Sequence, residues 1–185
     1  MLTLHHVRAV EAASTAGAPA GGPAPGADAV LVSGSRIEAI GPYEELAAEY
    51  GERARVREWD GVLTPGRHEP DGTAYLEAAY HPDPREAAEL GTEPIRGADL
   101  AALDMTDTRW GGSARRGLQR LLSTGTTSLT GPFTRPSVRT AVTRSGLRDR
   151  PTTLAPGAPA DFTVLAADGT CLATALGGRL VYRRR

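Results

Sequence analysis

Apolar and polar positions alternate near both ends of the chain and fall into helical spacing in its middle. Residues 2–10, LTLHHVRAV, read as a strand with Leu2, Leu4 and His6 on one face and Thr3, His5 and Val7 on the other, although the apolar residues are not sorted to one side. An apolar run from Ala29 to Val32, the turn Ser33-Gly34-Ser35 and a second run anchored by Ile37 and Ile40 predict a β-hairpin. PYEELAAEYG then reads as a short helix, with Pro42 near its start and Gly51 past its end. RARVREWDGVLTPG returns to strand. In the centre, DPREAAELG and GADLAALDM each supply a helical turn or two, interrupted by Pro82, Pro84 and Pro94.

The strongest helical pattern is SARRGLQRLLSTG, with Ser113 as its cap, Ala114, Leu118, Leu121 and Leu122 on one face, and Gly125 as its stop. TTSLTG follows as a buried strand. RPSVRTAVTRSG is a helix with Pro136 in its first turn and Gly146 at its end. Three final strand runs, Phe162 to Leu165, Cys171 to Ala175 and Leu180 to Tyr182, are separated by Asp168-Gly169 and Gly177-Gly178 turns. The pattern predicts an α+β protein whose β-rich ends come together around an α/β centre. Residues 12–27, almost all Ala, Gly and Pro, are expected to form a flexible loop.

Composition narrows the partners. With 21 Lys+Arg against 22 Asp+Glu and a net charge of −1, no strong field draws the chain to nucleic acid or to an anionic membrane. At 185 residues one compact unit is the default, with room for a small second lobe. The single cysteine, Cys171, rules out an internal disulfide and a multi-cysteine metal cluster, fits a reducing cytoplasm, and is expected to be a buried strand residue. No stretch approaches the roughly 18 apolar residues of a membrane span, and the N-terminus lacks the pattern of an export signal. A soluble, cytoplasmic protein is expected.

The segment with most chemistry is PGRHEPDG, residues 65–72. A hydrolytic zinc needs three protein ligands and an open position for water. The histidines are His5, His6, His68 and His81; His5 and His6 are adjacent, so on a strand they face opposite ways. His68, Glu69 and His81 are the candidate catalytic residues, and His68, Asp71 and His81 the candidate ligands, with Glu77 or Asp83 in reserve. Against this stands a plainer reading: Pro70, Asp71 and Gly72 make a turn, and His68 and Glu69 are exposed or bonded locally. A small-molecule contact without metal is a third. His81 is either a loop residue ahead of two prolines or an acid or base beside Tyr75 or Tyr80. STGTTSLTG follows a helix C-terminus, where the dipole is wrong for an anion. Trp110, just ahead of the strong helix, is expected in the core. No nucleophile elbow, dinucleotide fingerprint or basic aromatic stripe is present.

DAVLVSGSRIEAIGP, DGVLTPG, GGSARRGLQRLLSTGTTSLTGPF and LAPGAPADFTVLAADGTCLATALGGRLVYRRR together resemble the metal-dependent amidohydrolase superfamily, nearest to imidazolonepropionase-like and aminodeoxyfutalosine-deaminase-like proteins. The resemblance implies a β-sandwich built from both chain ends, here residues 1–64 and 152–185, around a TIM-type barrel that carries one or two metals. It also implies a His-x-His metal pair on the first barrel strand. Here that place reads His68-Glu69-Pro70, with proline where the second histidine belongs. The interval from Gly66 to Arg150 supplies about 85 residues against the roughly 200 a barrel requires, so residues 65–151 are expected to form a reduced α/β lobe, an incomplete barrel. The expectation is a non-catalytic binding or assembly module without cofactor, homo-oligomeric through the central lobe. The alternative is a zinc-dependent hydrolase of non-peptide carbon–nitrogen bonds whose site a second subunit completes.

Overall fold

The computed structural model describes residues 1–11 and 26–184, so the loop expected over 12–27 lies, apart from its last two residues, outside the described residues. The first part of the chain carries β1 (Leu2–His6), β2 (Ala9–Val10), β3 (Ala29–Ser33), β4 (Arg36–Gly41), α1 (Tyr43–Tyr50), β5 (Ala54–Glu58) and β6 (Val62–Pro65). The middle holds β7 (Arg67–Glu69), α2 (Gly72–Leu76), β8 (Ala79–Tyr80), a 3-10 turn (Pro84–Glu86), α3 (Ala87–Leu90), β9 (Ile95–Arg96), α4 (Gly97–Ala101), α5 (Asp107–Ser123), β10 (Thr126–Leu129) and α6 (Pro136–Ser145). The last part is β11 (Phe162–Leu165), β12 (Cys171–Leu176) and β13 (Arg179–Arg183). The class is α+β, and among the described residues no closed barrel forms. No helix there is long and apolar enough to cross a membrane. Two compact units divide the chain: Met1–Arg67 with Ser123–Thr127 and Pro151–Arg185, and His68–Leu122 with Ser128–Arg150.

The first unit contains two sheets, ordered β4-β3-β1-β5 and β13-β12-β11-β6-β2. β1 runs antiparallel to β3, His5 opposite Val30 and Leu4 opposite Leu31, and parallel to β5. The alternation of side chains then gives each strand two working faces. Val30, Val32 and Ile37 join Leu63, Phe162, Val164, Ala173 and Ala175 in one buried cluster to which both sheets contribute. Leu4, Ala29 and Leu31 point the other way and pack with Leu46 of α1. A sheet covered on both faces has no polar side, which is why β1 shows no sorted faces and β3 reads as a continuous apolar run. Cys171 is buried on β12, as expected.

In the second unit Ala114, Leu118 and Leu121 of α5 pack with Val138 and Ala141 of α6, Leu76 and Leu129. α5 begins two turns earlier than the expected Ser113 cap. The hydroxyl of Thr106 accepts the Arg109 N–H at 3.2 Å, the arrangement of an N-cap. Ser113 lies inside the helix, buried, and its Oγ accepts the backbone N–H of His81 at 2.9 Å. Trp110 is therefore within α5; it is buried, with the Arg135 guanidinium 4.1 Å from its ring centroid. α6 has the expected bounds, with Pro136 at its first turn and Gly146 left-handed at φ 77°.

Candidate functional site

His68 and Glu69 lie on β7, a strand paired with β10, and not in the loop that their neighbours Pro70 and Asp71 suggest. The Arg67 N–H donates to the Gly125 carbonyl and the Thr130 N–H to that of Glu69, both at 2.9 Å. Gly66 makes the approach feasible: a Cβ there would stand 2.0 Å from Thr127 Oγ1.

The side chains of His68, Glu69 and Asp71 each have a hydrogen-bond partner. Half-buried His68 sets Nδ1 2.9 Å from Ser128 Oγ and Nε2 3.2 Å from Thr130 Oγ1. Both partners are some sixty residues away in sequence, so the expected local bonding of His68 is corrected. Glu69 Oε1 accepts the Asp71 N–H at 3.0 Å, and Asp71 Oδ1 accepts the Ala74 N–H at 2.9 Å, capping α2. The turn at Pro70 and Asp71 is present.

His81 is enclosed, at 2% exposure. Its Nε2 lies 2.9 Å from the Tyr75 carbonyl and its ring 4.8 Å from the Tyr75 ring, while Nδ1 is buried without a partner. α5 accommodates it only because residue 117 is glycine, where a Cβ would come 2.7 Å from Nε2. Burial pushes its pKa below the ordinary value, against the Tyr75 carbonyl and with help from Arg120, Arg96 and Arg116. No hydrogen bond or ring contact joins His81 to His68, Glu69 or Asp71.

Among the described residues no three His, Cys, Asp or Glu side chains stand together so as to hold a metal ion. Zinc, which the resemblance implies, does not fit this donor set: both nitrogens of His68 are engaged by hydroxyls, Asp71 serves as a helix cap, and His81 is bonded elsewhere. Glu77 is also committed, accepting the N–H groups of Thr134 and Arg135 at 2.9 and 2.7 Å ahead of α6. Burial raises its carboxyl pKa, but these donors and the Thr134 hydroxyl outweigh it and the net shift is downward.

One polar cluster escaped the sequence reading. The buried Tyr80 hydroxyl donates to Glu86 and receives Arg109 Nε at 3.2 Å; Arg109 also pairs with Glu86 at 2.9 Å, and Arg116 with Asp83 at 3.2 Å. Burial first, then the Glu86 bond, raises the phenol pKa, so Tyr80 stays a donor. The one local sign was Asp83-Pro84-Arg85-Glu86, which forms a capping box. Its arginines come from α5 and have no local signal. With each ion engaged, the cluster fastens α5 to the Tyr80–Glu86 segment.

The first unit holds a groove of about 580 Å³ whose walls include His6, Asp28, Trp59 and Asp60. These too are occupied: His6 stacks on Tyr43 at 3.9 Å, Asp28 accepts the Tyr43 N–H at 2.6 Å, and Arg8 pairs with Asp60 at 2.6 Å. His5 faces away from His6, as expected. Its Nδ1 accepts the Trp59 indole N–H at 3.1 Å and its ring meets the Phe162 edge at 5.0 Å.

Residues 29–52, spanning β3, β4 and α1, match the family model of the imidazolonepropionase-like composite domain of bacteria. The resemblance read from the sequence thus holds. No curated protein matches the chain. Similar solved structures include A. niger ochratoxinase, at 15% identity over 80% of this chain and 29% of that one, with a TM-score of 0.49. E. coli guanine deaminase has 16% identity over 79% of this chain and 33% of that one, with a TM-score of 0.49. An uncharacterized metal-dependent hydrolase from Pyrococcus furiosus has 9% identity over 78% and 47%, with a TM-score of 0.44. The chain spans about a third of the length of the first two.

Proposed function

We propose that this protein is a non-catalytic amidohydrolase relative that uses its composite domain as a binding or assembly module. In this reading the two sheets of the first unit form the β-sandwich, residues 1–64 and 152–185, and residues 65–151 are what remains of the barrel. The observation that carries it is His68: at the place where the resembled enzymes hold a His-x-His pair, its two ring nitrogens meet Ser128 and Thr130 hydroxyls, and residue 70 is proline. A hydrolytic centre needs a lone pair free for the metal and a position open to water. An incomplete barrel leaves strand edges in need of cover, which supports a homo-oligomer formed through the central lobe. The cytoplasm, where Cys171 stays reduced, is the fitting compartment.

Elemental analysis of the purified chain, with and without added zinc, tests the reading. Metal-free protein that stays folded is expected, and His68→Ala leaves the metal content unchanged. About one tightly held zinc per chain that His68→Ala removes would instead favour a hydrolase of non-peptide carbon–nitrogen bonds, with His68, Glu69 and His81 as its proton carriers or ligands.

A further inference from the structure

Among the described residues, the first unit covers two of its four sheet edges with its own chain and leaves two without such cover. Along β4, the Ile37 N–H donates to the Ala158 carbonyl at 2.9 Å, and the Ile37 carbonyl accepts the Gly157 N–H at 2.7 Å. Beside β2, Val7 and Val10 donate to the carbonyls of Asp28 and Ala27 at 2.9 and 2.8 Å. β5 and β13 have no such cover among the described residues.

The open strands are the arginine-bearing ones. Arg55 and Arg57 share one face of β5, and Arg183 ends β13 with its guanidinium 5.4 Å from the Trp59 ring centroid. Among the described residues none of the three has a carboxylate within ion-pair distance. Arg57 Nε is buried without a hydrogen-bond partner. Burial first, then the charges of Arg55 and Arg183, lower the pKa of Arg57. Apart from Met1, the exposed large hydrophobic residues are Val56 at 37% and Val181 at 36%, both on these two strands.

We propose that β5 is a docking edge to which an extended acidic segment of a partner protein adds as a further strand, its carboxylates on Arg55 and Arg57 and an apolar side chain on Val56. Strand addition joins main-chain hydrogen bonds to alternate side-chain contacts, and β5 offers both. A second copy of this chain does not suit the edge, because β5 against β5 sets arginine beside arginine. A small anion neutralises the arginines but leaves the strand backbone and Val56 uncovered. The inference rests on reading the first unit as a binding module.

The test titrates the full chain into a labelled peptide of alternating glutamate and valine and follows its anisotropy. Saturable binding that weakens with salt is expected, reduced about tenfold or more by Arg55→Glu, as breaking a charge pair at an interface does. N-methylation of alternate peptide nitrogens on the pairing side abolishes it. Arg55 is exposed, so its variant keeps the fold, which circular dichroism checks; Arg85→Glu, in the other unit, leaves binding unchanged. Absence of binding, indifference to Arg55→Glu, indifference to N-methylation, or full displacement by equimolar inorganic phosphate each overturns the proposal. Metal content is measured on the same preparation: zinc held through His68 sinks the non-catalytic reading and leaves the edge result standing.

Discussion

Each unit buries one histidine, and the two are held in opposite ways. His5, 1% exposed in the first unit, has Nδ1 matched to the Trp59 indole N–H and an aromatic edge from Phe162. His81, 2% exposed in the second, has Nε2 on the Tyr75 carbonyl and Nδ1 on nothing. In the first unit the polar atom has been fitted into an apolar two-sheet core. In the second, the ring is held against Gly117 of α5 and the Tyr75 ring, and one of its nitrogens is left over. A buried histidine therefore marks packing in both units: each has one ring nitrogen bonded inside the fold.

The largest test of this comparison is acid. His5 is lowered from 6.5 to about 4, by burial first and by Arg57 second. Above pH 6.5 both the folded and unfolded chains hold it neutral; below that, the unfolded chain takes a proton that the folded one refuses until about pH 4. Stability of the first unit falls across this window, by on the order of 3 kcal/mol. The two tryptophans report on one unit each, so a Trp110→Phe background isolates the Trp59 signal of the first. Denaturant unfolding at pH 7.5 and 4.5 shows the loss, and His5→Leu flattens it; an unchanged slope in that variant refutes the assignment.

Next in size is Gly117→Ala. In the middle of a helix this change ordinarily gains about 1 kcal/mol. Here the new Cβ meets His81 and Leu76 at 2.7 and 2.8 Å, so a loss of about 1–3 kcal/mol is expected. Adding His81→Ala, which empties the space, restores most of it. The sequence shows Gly117 only as a helical glycine, since its reason lies thirty-six residues upstream.

The same division runs through what could be read in advance. The β3–β4 hairpin and α6 were legible because their signals are local: a Ser-Gly-Ser turn between two apolar runs, and Pro136 and Gly146 at the two ends of one helix. The start of α5 was not, because Ser113 resembles a cap while its hydroxyl is bound to His81, and Gly111-Gly112 looks like a break inside what is continuous helix. β7 was hidden for a related reason. A three-residue strand is defined by its hydrogen bonds to β10, and no pattern in Arg67-His68-Glu69 announces them. Of the candidate residues, the chemistry of His68 was visible, but Ser128 and Thr130, which occupy it, were not.

Glu77→Gln comes third, at about 1–2 kcal/mol, because the amide loses the charge that the Thr134 and Arg135 donors face. Its pH signature differs from that of His5. The folded carboxyl is depressed, so its contribution is complete above the unfolded value of 4.5 and disappears as pH falls through the lower folded one. At pH 5.5 the His5 loss is already under way while the Glu77 contribution is whole. A Trp59→Phe background, which leaves Trp110 beside Arg135, reads this in the second unit.

The smallest effect separates the two histidines most cleanly. His5→Leu strands the Trp59 indole N–H in a partly buried place, and an orphaned donor costs about 1–2 kcal/mol at neutral pH. His81→Leu also removes a bond, the one to the Tyr75 carbonyl, but it removes with it a buried nitrogen that has no partner. The two terms oppose each other, and the net change is expected to stay within about 1 kcal/mol. Equal losses from the two substitutions, measured by urea unfolding at pH 7.5, would mean that Nδ1 of His81 is satisfied in solution by a bound water, and the contrast between a matched and an unmatched histidine would fall.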